Sequence, residues 1–353
     1  MPGHVAQGNQ HTFMKRRVLK RILPWLITLG ALYWAFRDVE WGVLWSHIRS
    51  ARPMYIAIAM LLTITSYWVR AARWPKLFPS VTFPLLSSWK VLVLGFFMNN
   101  ILPARAGEIV RAHLGSKVLG KPGTLVLATI ASERLADGLT ISVLFASIVG
   151  FFGRGRLDPE IANNLLLVSY LFGAVALGVI ATLSMRNTIF SIVEKYSNKT
   201  DGKARKYALS RLQIFIDGLS PLRSPKQALI IACWSVMIWS IELGAFWAVA
   251  RAFDSSLPIS GVAIFLVAVN FSSLIPAAPG GFGVVELIAK SVLVSVGVES
   301  GELALSMVLA QHVIQYAVIG IPGAFLLSTL RSQLNGMSEE TQLADEMPGS
   351  LAS

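Results

Sequence analysis

Apolar residues run in long blocks along this chain, separated by short polar loops. The blocks cover residues 22–36, 53–69, 85–102, 124–152, 163–185, 228–250, 261–275, 284–298 and 303–330. Several approach the roughly 20 residues that a helix needs to cross a bilayer. Two blocks end in loops that a regular helix cannot traverse. Asn99-Asn100-Ile101-Leu102-Pro103-Ala104-Arg105-Ala106-Gly107-Glu108 closes one, and Ser272-Ser273-Leu274-Ile275-Pro276-Ala277-Ala278-Pro279-Gly280-Gly281 closes the other. Proline removes a backbone donor and fixes φ, while the glycines can take positive φ. The loops lie 173 residues apart in a chain of 353. Broken helices at corresponding positions of two halves point to a transport site near the bilayer midplane.

Composition sharpens this picture. Hydrophobic residues make up 54%, charged residues 14%, and the mean hydropathy is +0.61, which excludes a soluble domain of this length. A net charge of +12 would suit a nucleic-acid binder, but the Lys and Arg residues gather in particular loops, the mark of the positive-inside rule. Let 85–119 dip into the membrane from the cytoplasm and return, and let 261–298 do the same from outside. The cytoplasmic segments 1–21, 70–90, 111–121 and 186–226 then carry 21 Lys/Arg, and the external segments carry 6. If 85–102 crosses completely, 186–226 with its nine basic residues falls outside. The charge pattern selects the hairpins.

The chain therefore reads as an all-α polytopic membrane protein. It has about six full transmembrane helices plus two re-entrant, broken-helix hairpins in an inverted-topology repeat, with halves 22–185 and 228–330. Residues 1–21 and the loop 186–227 are basic and cytoplasmic. The acidic tail 331–353 reads as disordered and cytoplasmic. The basic run before 22–36 resembles a signal peptide, but Trp34-Ala35-Phe36-Arg37-Asp38 offers no small-residue cleavage site, so an uncleaved first span is expected. Within Lys203–Leu222, basic residues alternate with Tyr207, Leu209, Leu212, Phe215 and Leu219; this suits either an anionic leaflet surface or a solvated connector. The single cysteine, Cys233, permits no disulfide within the chain.

Charges inside membrane segments need partners or water. Here most lie beside the proline loops. The candidate translocation residues are Asn99, Asn100, Pro103, Arg105, Gly107, Glu108 and Arg111 around the first loop. Glu133, Arg134, Asp137 and Glu242 lie in long apolar blocks. Pro276, Gly280, Gly281, Gly283, Glu286 and Lys290 surround the second loop, and Gln311 and Gln315 sit in the last block beside His312. Glu286 and Lys290 at i, i+4, and Arg134 and Asp137 at i, i+3, are spaced to pair along one helix. A helix starting near Val284 would aim its positive end and free amides at an anion such as a lipid phosphate. Glu108 equally suits a plain helix-start role, and the Asn and Ser residues before the prolines suit capping of broken-helix backbone. No Gly-Lys-Ser/Thr follows Gly280-Gly281-Phe282-Gly283, and His47, His113 and His312 lack metal-ligand spacing. No catalytic residue, cofactor or metal is expected.

The runs Asn100–Glu108, Glu133-Arg134-Leu135-Ala136-Asp137 and Pro276–Glu286 resemble, in order, the marks of the flippase-like membrane domain of lysylphosphatidylglycerol synthase. The likeness covers about residues 20–330. It implies a protein of the bacterial inner membrane that moves a lipid between leaflets without hydrolysing ATP; the charge pattern puts both termini in the cytoplasm. It also implies that Arg105, Glu108, Glu133, Arg134, Asp137 and Glu286 line the working cavity. The expected cargo is a lipid or lipid-linked headgroup, anionic or zwitterionic. The expected partners are membrane lipids, with a lipid-synthesis enzyme or a second copy as candidate protein partners, and no nucleic acid. The alternatives are a membrane-embedded transferase, with Glu133, Asp137 or Glu286 as base or metal ligand, and an accessory subunit of a lipid, hopanoid or glycolipid pathway.

Overall fold

The computed structural model describes residues 24–79, 83–102, 106–152, scattered helical positions between 163 and 178, 202–273, 275 and 279–346; of residues 148–152, 202–206, 208 and 330–346 only the backbone is described. All regular structure among them is helical. In chain order the helices are α1 (Pro24–Phe36), α2 (Trp41–Ser50), α3 (Pro53–Arg73), α4 (Leu85–Ile101), α5 (Gly107–Leu119), α6 (Gly123–Phe152), α7 (Gly202–Gly218), α8 (Pro225–Ala252), α9 (Ile259–Ser272), α10 (Val284–Ser295) and α11 (Gly301–Glu346). Short 3-10 turns follow α3 at Trp74–Leu77 and precede α10 at Pro279–Gly281.

Prolines and glycines set the boundaries. Pro53 and Pro225 open α3 and α8 where the missing N–H costs nothing, and Ser224 caps α8 through the amide of Gln227. Leu102, before Pro103, is extended (φ −93, ψ 141), which ends α4. Gly120 stops α5 in the left-handed conformation. Three helices are long and apolar enough to cross a membrane: Pro53–Leu77, Pro225–Ala252 and Gly301–Thr329. Shorter apolar helices, α1, α4 and α9, accompany them. Helix α6 has 30 residues but carries Glu133, Arg134 and Asp137 in its middle. The bands Leu61–Ile64–Trp68, Leu229–Val236 and Val313–Ile321–Phe325 are exposed, as expected of helix faces against lipid chains.

Two details differ from the sequence expectation. Residues 41–50 form a helix where a plain loop was expected, because Leu44 buries against Val39 and Leu305. The last helix continues to Glu346, into the tail expected to be disordered; the run 331–346 contains no proline and good helix formers such as Glu339, Glu340, Gln342, Leu343 and Ala344. Helix α7 falls in the basic segment and packs Leu212, Phe215 and Ile216 against Ala128 of α6, so its apolar face is at least partly spent on the protein. Residues Pro103, Ala104, Arg105, Leu274, Pro276, Ala277 and Ala278, and the basic N-terminus 1–23, lie outside the described residues.

The core has a recurring order. A long helix, a short helix, a break, a second short helix and another long helix appear as α3–α4–α5–α6 and again as α8–α9–α10–α11. Helix α3 lies along α8 and runs antiparallel to it. The amide of Arg52 donates to the carbonyl of Ala252 (2.8 Å), Tyr55 meets Trp247, Ser66 donates to Glu242 (2.6 Å), Arg73 donates to Ser235 (2.7 Å), and Gln227 donates to the carbonyl of Lys76 (2.7 Å). Helix α4 packs on α5 and α11, and α9 packs on α10 and α6, so the two sets exchange matching contacts.

Helices α4 and α5 fold against each other, as α9 and α10 do. Trp89, early in α4, stacks on Trp68, and Gly115, late in α5, faces Val91 and Trp74. At the tip, a Cβ on Gly107 would fall 2.4 Å from the backbone of Gly95 and Asn99, so only glycine lets α5 approach α4 this closely. At the other end of the molecule, Lys290 donates to the carbonyl of Ala35 (2.9 Å) and touches Gly301, and the Glu302 carboxylate accepts from the amide of Glu40 (3.4 Å). The end where α4 begins and α5 finishes carries Lys76, Lys90, Lys117, Lys121, Arg223 and Lys226; the opposite end carries Arg52 paired with Asp254, and Glu299 and Glu302. Cysteines placed at Lys117 and Lys226 should react with an impermeant maleimide from one side of the membrane. Cysteines at Arg49 and Asp254 should react only from the other side. Labelling of Lys117→Cys and Lys226→Cys from opposite sides would refute this arrangement.

Candidate functional site

Four arginines and four carboxylates meet where α3, α5, α6 and α8 cross. Asp137 accepts from Arg73 (2.6 and 3.1 Å) and Arg70 (3.1 Å), with the Trp239 indole N–H at 3.3 Å. Glu133 accepts from Arg111 (2.7 Å) and lies 3.8 Å from Arg73. Glu242 accepts from Ser66 (2.6 Å) and Arg70 (3.5 Å). Arg134 donates to Glu108 at 2.8 Å. Arg73, Arg111, Glu133, Asp137 and Glu242 are buried almost completely, whereas the Arg134 and Glu108 side chains remain 31% and 26% exposed. The guanidinium of Arg111 also covers the Trp74 ring (4.5 Å) and that of Arg70 the Trp239 ring (5.0 Å). Four positive and four negative groups leave the cluster with no net charge.

This corrects the pairing inferred from spacing. Arg134 and Asp137 do not pair along α6. Arg134 reaches across to Glu108 on α5, and Asp137 takes both arginines of α3. Buried carboxylates on a long helix draw partners from neighbouring helices because a bidentate guanidinium satisfies more lone pairs than a same-helix contact can. The hydropathy pattern puts Arg70 and Arg73 in a cytoplasmic loop. They lie instead in the last turn of α3, buried, and the helix extends past the apolar run because the carboxylates neutralise them. Their spacing of three, facing the charges of α6, was the available signal.

Beside this network lies a cavity of about 560 Å3, within the usual size of a small-molecule site. The tips of both short-helix pairs contribute to its wall, Asn99, Asn100 and Glu108 from the first and Gly280 and Gly281 from the second. Arg134, Asp137 and Glu242 line it as well, with Gln311 and Gln315 from α11. Arg111, Glu133, Gly107, Gly283, Glu286 and Lys290 are not in its wall; Gly107, Arg111 and Glu133 support it from behind. Tyr67, Phe96, Trp239, Asn270, His312 and Tyr316, absent from the candidate set, line it. The Tyr67 hydroxyl donates to Gln315 (2.9 Å). Gln311 is 1% exposed, yet neither end of its amide has a hydrogen-bond partner, and the Asn99 carbonyl oxygen and the Tyr316 hydroxyl are likewise unpartnered. Buried polar atoms in that state are rare in proteins and mark places that a ligand or solvent completes.

The second loop differs from expectation in two ways. Lys290 does not pair with Glu286; its ammonium caps α1 at Ala35. The start of α10 is also not free for an anion. One Glu286 oxygen accepts from the amide of Gly283 (2.6 Å), a reach-back that fills the helix N-terminus from within. The other oxygen lies 2.6 Å from Nδ1 of His312. Phe282 stacks on His312 at 4.6 Å, and Tyr316 meets both rings. Gly280 has φ +75, and a Cβ there would fall 1.2 Å from the Tyr316 hydroxyl. No group of three or more metal-binding side chains occurs among the described residues.

An all-helical body with three helices long and apolar enough to cross a bilayer places this chain among multi-helix membrane proteins. It belongs to the lysylphosphatidylglycerol synthase TM region family, which it matches over residues 21–323. It is 26% identical over 287 residues to a UPF0104 membrane protein of Methanothermobacter thermautotrophicus, covering 80% of this chain and 85% of that one. It is 21% identical over 305 residues to the UPF0104 membrane protein PH1989 of Pyrococcus horikoshii, covering 79% and 88%. It is 23% identical over 349 residues to the glycosyltransferase AglD of Haloferax volcanii, covering 90% of this chain but 55% of that protein. No solved structure matches the chain.

Asp137→Asn should remove the charge that holds Arg70 and Arg73, lowering stability by about 3–5 kcal/mol. Thermal unfolding in detergent will read this as a lower midpoint. The double variant Arg111→Met/Glu133→Gln should unfold later than Arg111→Met alone, because no unpaired charge then remains buried.

Proposed function

We propose that this protein moves a lipid headgroup from one leaflet to the other through the cavity between the two hairpin tips. The observation that carries this reading is that Asn99 and Asn100 of the first tip and Gly280 and Gly281 of the second line one polar chamber. The antiparallel course of α3 along α8 supports an inverted-topology repeat, since an axis in the membrane plane reverses equivalent helices. Helices α5 and α10, of 13 and 12 residues, each span only about 20 Å, too short for a bilayer. We read them as returning arms of two half-membrane hairpins, one from each face, beside six full spans. The basic end of the molecule then lies in the cytoplasm with both termini, in a bacterial inner membrane. Setting Arg70, Arg73 and Arg111 aside as buried still leaves 18 basic residues on that side against 6 on the other.

The charge balance of the wall refines the cargo. With the network neutral and the α10 amide already taken by Glu286, a zwitterionic headgroup fits better than an anion. Its charges would exchange with the half-exposed Arg134–Glu108 pair, and its polar atoms would meet Gln311 and Asn99, while the acyl chains stay in lipid. Alternating exposure follows if the two helix sets rock about the α3–α8 seam. A second reading, a lipid-acting transferase, is favoured only by the name of the Haloferax relative, a longer protein. Product formation from a donor by the purified chain would select it.

In proteoliposomes carrying fluorescent phospholipids, the wild-type protein should expose inner-leaflet probe to a membrane-impermeant quencher faster than empty vesicles do. Arg134→Ala and Gln311→Ala should each slow this about tenfold, the loss of one to two hydrogen bonds to the headgroup. Equal rates for wild type and empty vesicles, across anionic and zwitterionic probes, would overturn the reading.

A further inference from the structure

His312 sits between two acceptors. Its Nδ1 is 2.6 Å from a Glu286 carboxylate oxygen, and its Nε2 is 3.2 Å from the carbonyl oxygen of Gly280. A neutral imidazole has one N–H and one lone pair, so it can donate to only one of them. Satisfying both requires the imidazolium, or a protonated Glu286 donating to Nδ1 while Nε2–H donates to Gly280. Either form holds one proton more than an ionised carboxylate beside a neutral ring.

Among the described residues, the surroundings leave that proton to this pair. On α10, Lys290 is one turn from Glu286 but is engaged with Ala35. On α11 the neighbours Gln311 and Gln315 are neutral, and Tyr316 presents its ring at 5.0 Å. The described residues of α1, whose backbone meets Gly283, carry no charge. Helices α9 and α4 bring Asn270, Ser273, Asn99 and Asn100, and Lys90 sits near the far end of α4. Across the cavity, Arg70, Arg134, Glu108, Asp137 and Glu242 are paired among themselves.

We propose that His312 and Glu286 form a proton-binding site that latches the Pro279–Gly281 turn, and that this proton drives the headgroup movement proposed above; the second clause rests on that reading. Release sends one proton to water in the cavity. The remaining N–H stays on Nδ1, where the acceptor is charged and close. The Nε2 lone pair then opposes the Gly280 carbonyl, and that repulsion frees a turn held at φ +75 by glycine. Because Gly280 and Gly281 line the cavity, the protonation state of the pair sets the shape of the chamber wall.

Nitrogen-15 NMR of the full chain with labelled histidine in nanodiscs tests the site without any lipid transport. The His312 signals are assigned by their loss in His312→Gln. Titrated between about pH 5 and pH 9, the range where histidine changes charge, His312 should carry or share protons at both nitrogens at the acid end. It should keep its proton at Nδ1 at the alkaline end. Glu286→Gln should remove that preference. A neutral ring bearing its proton on Nε2 at the alkaline end, or spectra indifferent to pH or to Glu286→Gln, would overturn the proton site. In proteoliposomes an imposed pH gradient should speed wild-type translocation severalfold and leave His312→Gln unchanged. Translocation that ignores the gradient would overturn the coupling alone, and no translocation at all would count against the transport reading while the NMR result still decides the site.

Discussion

Charge burial governs the interior. An ionised side chain at the centre of a bilayer-spanning helix costs about 2.5–3.5 kcal/mol even by the mildest scales. Helix α6 carries three within five residues, at Glu133, Arg134 and Asp137. These can remain charged only where opposite charges face them; α3 supplies Arg70 and Arg73, α5 supplies Arg111 and Glu108, and Glu242 of α8 pairs in turn with Arg70. The register of α3 against α8 follows, because Ser66–Glu242 and Arg73–Ser235 form together only in one antiparallel alignment. The position of α5 follows as well, since Arg111 must reach Glu133 past Gly95, where no side chain intervenes. Such a network contributes more to uniqueness than to raw stability.

That arrangement determines where a cavity can exist. The pairs farthest inside are closed off, while Arg134–Glu108 sits at the edge and keeps contact with open space. The chamber therefore has one adaptable ion pair on a rigid neutral wall. The unpartnered Gln311 amide and Asn99 side-chain oxygen complete it. For the proposed transport, a wall of this kind would bind a polar headgroup without holding one sign of charge so tightly that release becomes slow.

Much of this was legible in the sequence. Block lengths, the two proline loops and the uneven placement of Lys and Arg gave the helices, the breaks and the basic end. Charge within apolar blocks points to Glu133, Arg134, Asp137 and Glu242 from the sequence alone. Their partners were harder to read. A basic residue at the end of an apolar run looks like a loop anchor whether it snorkels to water or turns inward, and only the facing helix decides. Arg70 and Arg73 were misread for that reason. Glu286 was read with Lys290 because helical spacing shows only neighbours on the same helix. Its actual partner, His312, is 26 residues away and is brought near by the turn between α10 and α11. The network's donor on α5 was counted as a loop charge but was also among the candidates, since it lay beside the first loop.

Biogenesis inherits a problem from α6. In the proposed arrangement α6 crosses the membrane, and as it leaves the ribosome and enters the translocon its three charges make it a poor substrate for release into lipid by itself. Helix α3, with two arginines, is already made by then, whereas Glu242 arrives about a hundred residues later. Until α8 emerges, the early spans hold an unequal set of charges, so stable lateral partitioning of the first half waits on synthesis of the second. Chain order thus makes the membrane insertion of this protein a cooperative event rather than a helix-by-helix one.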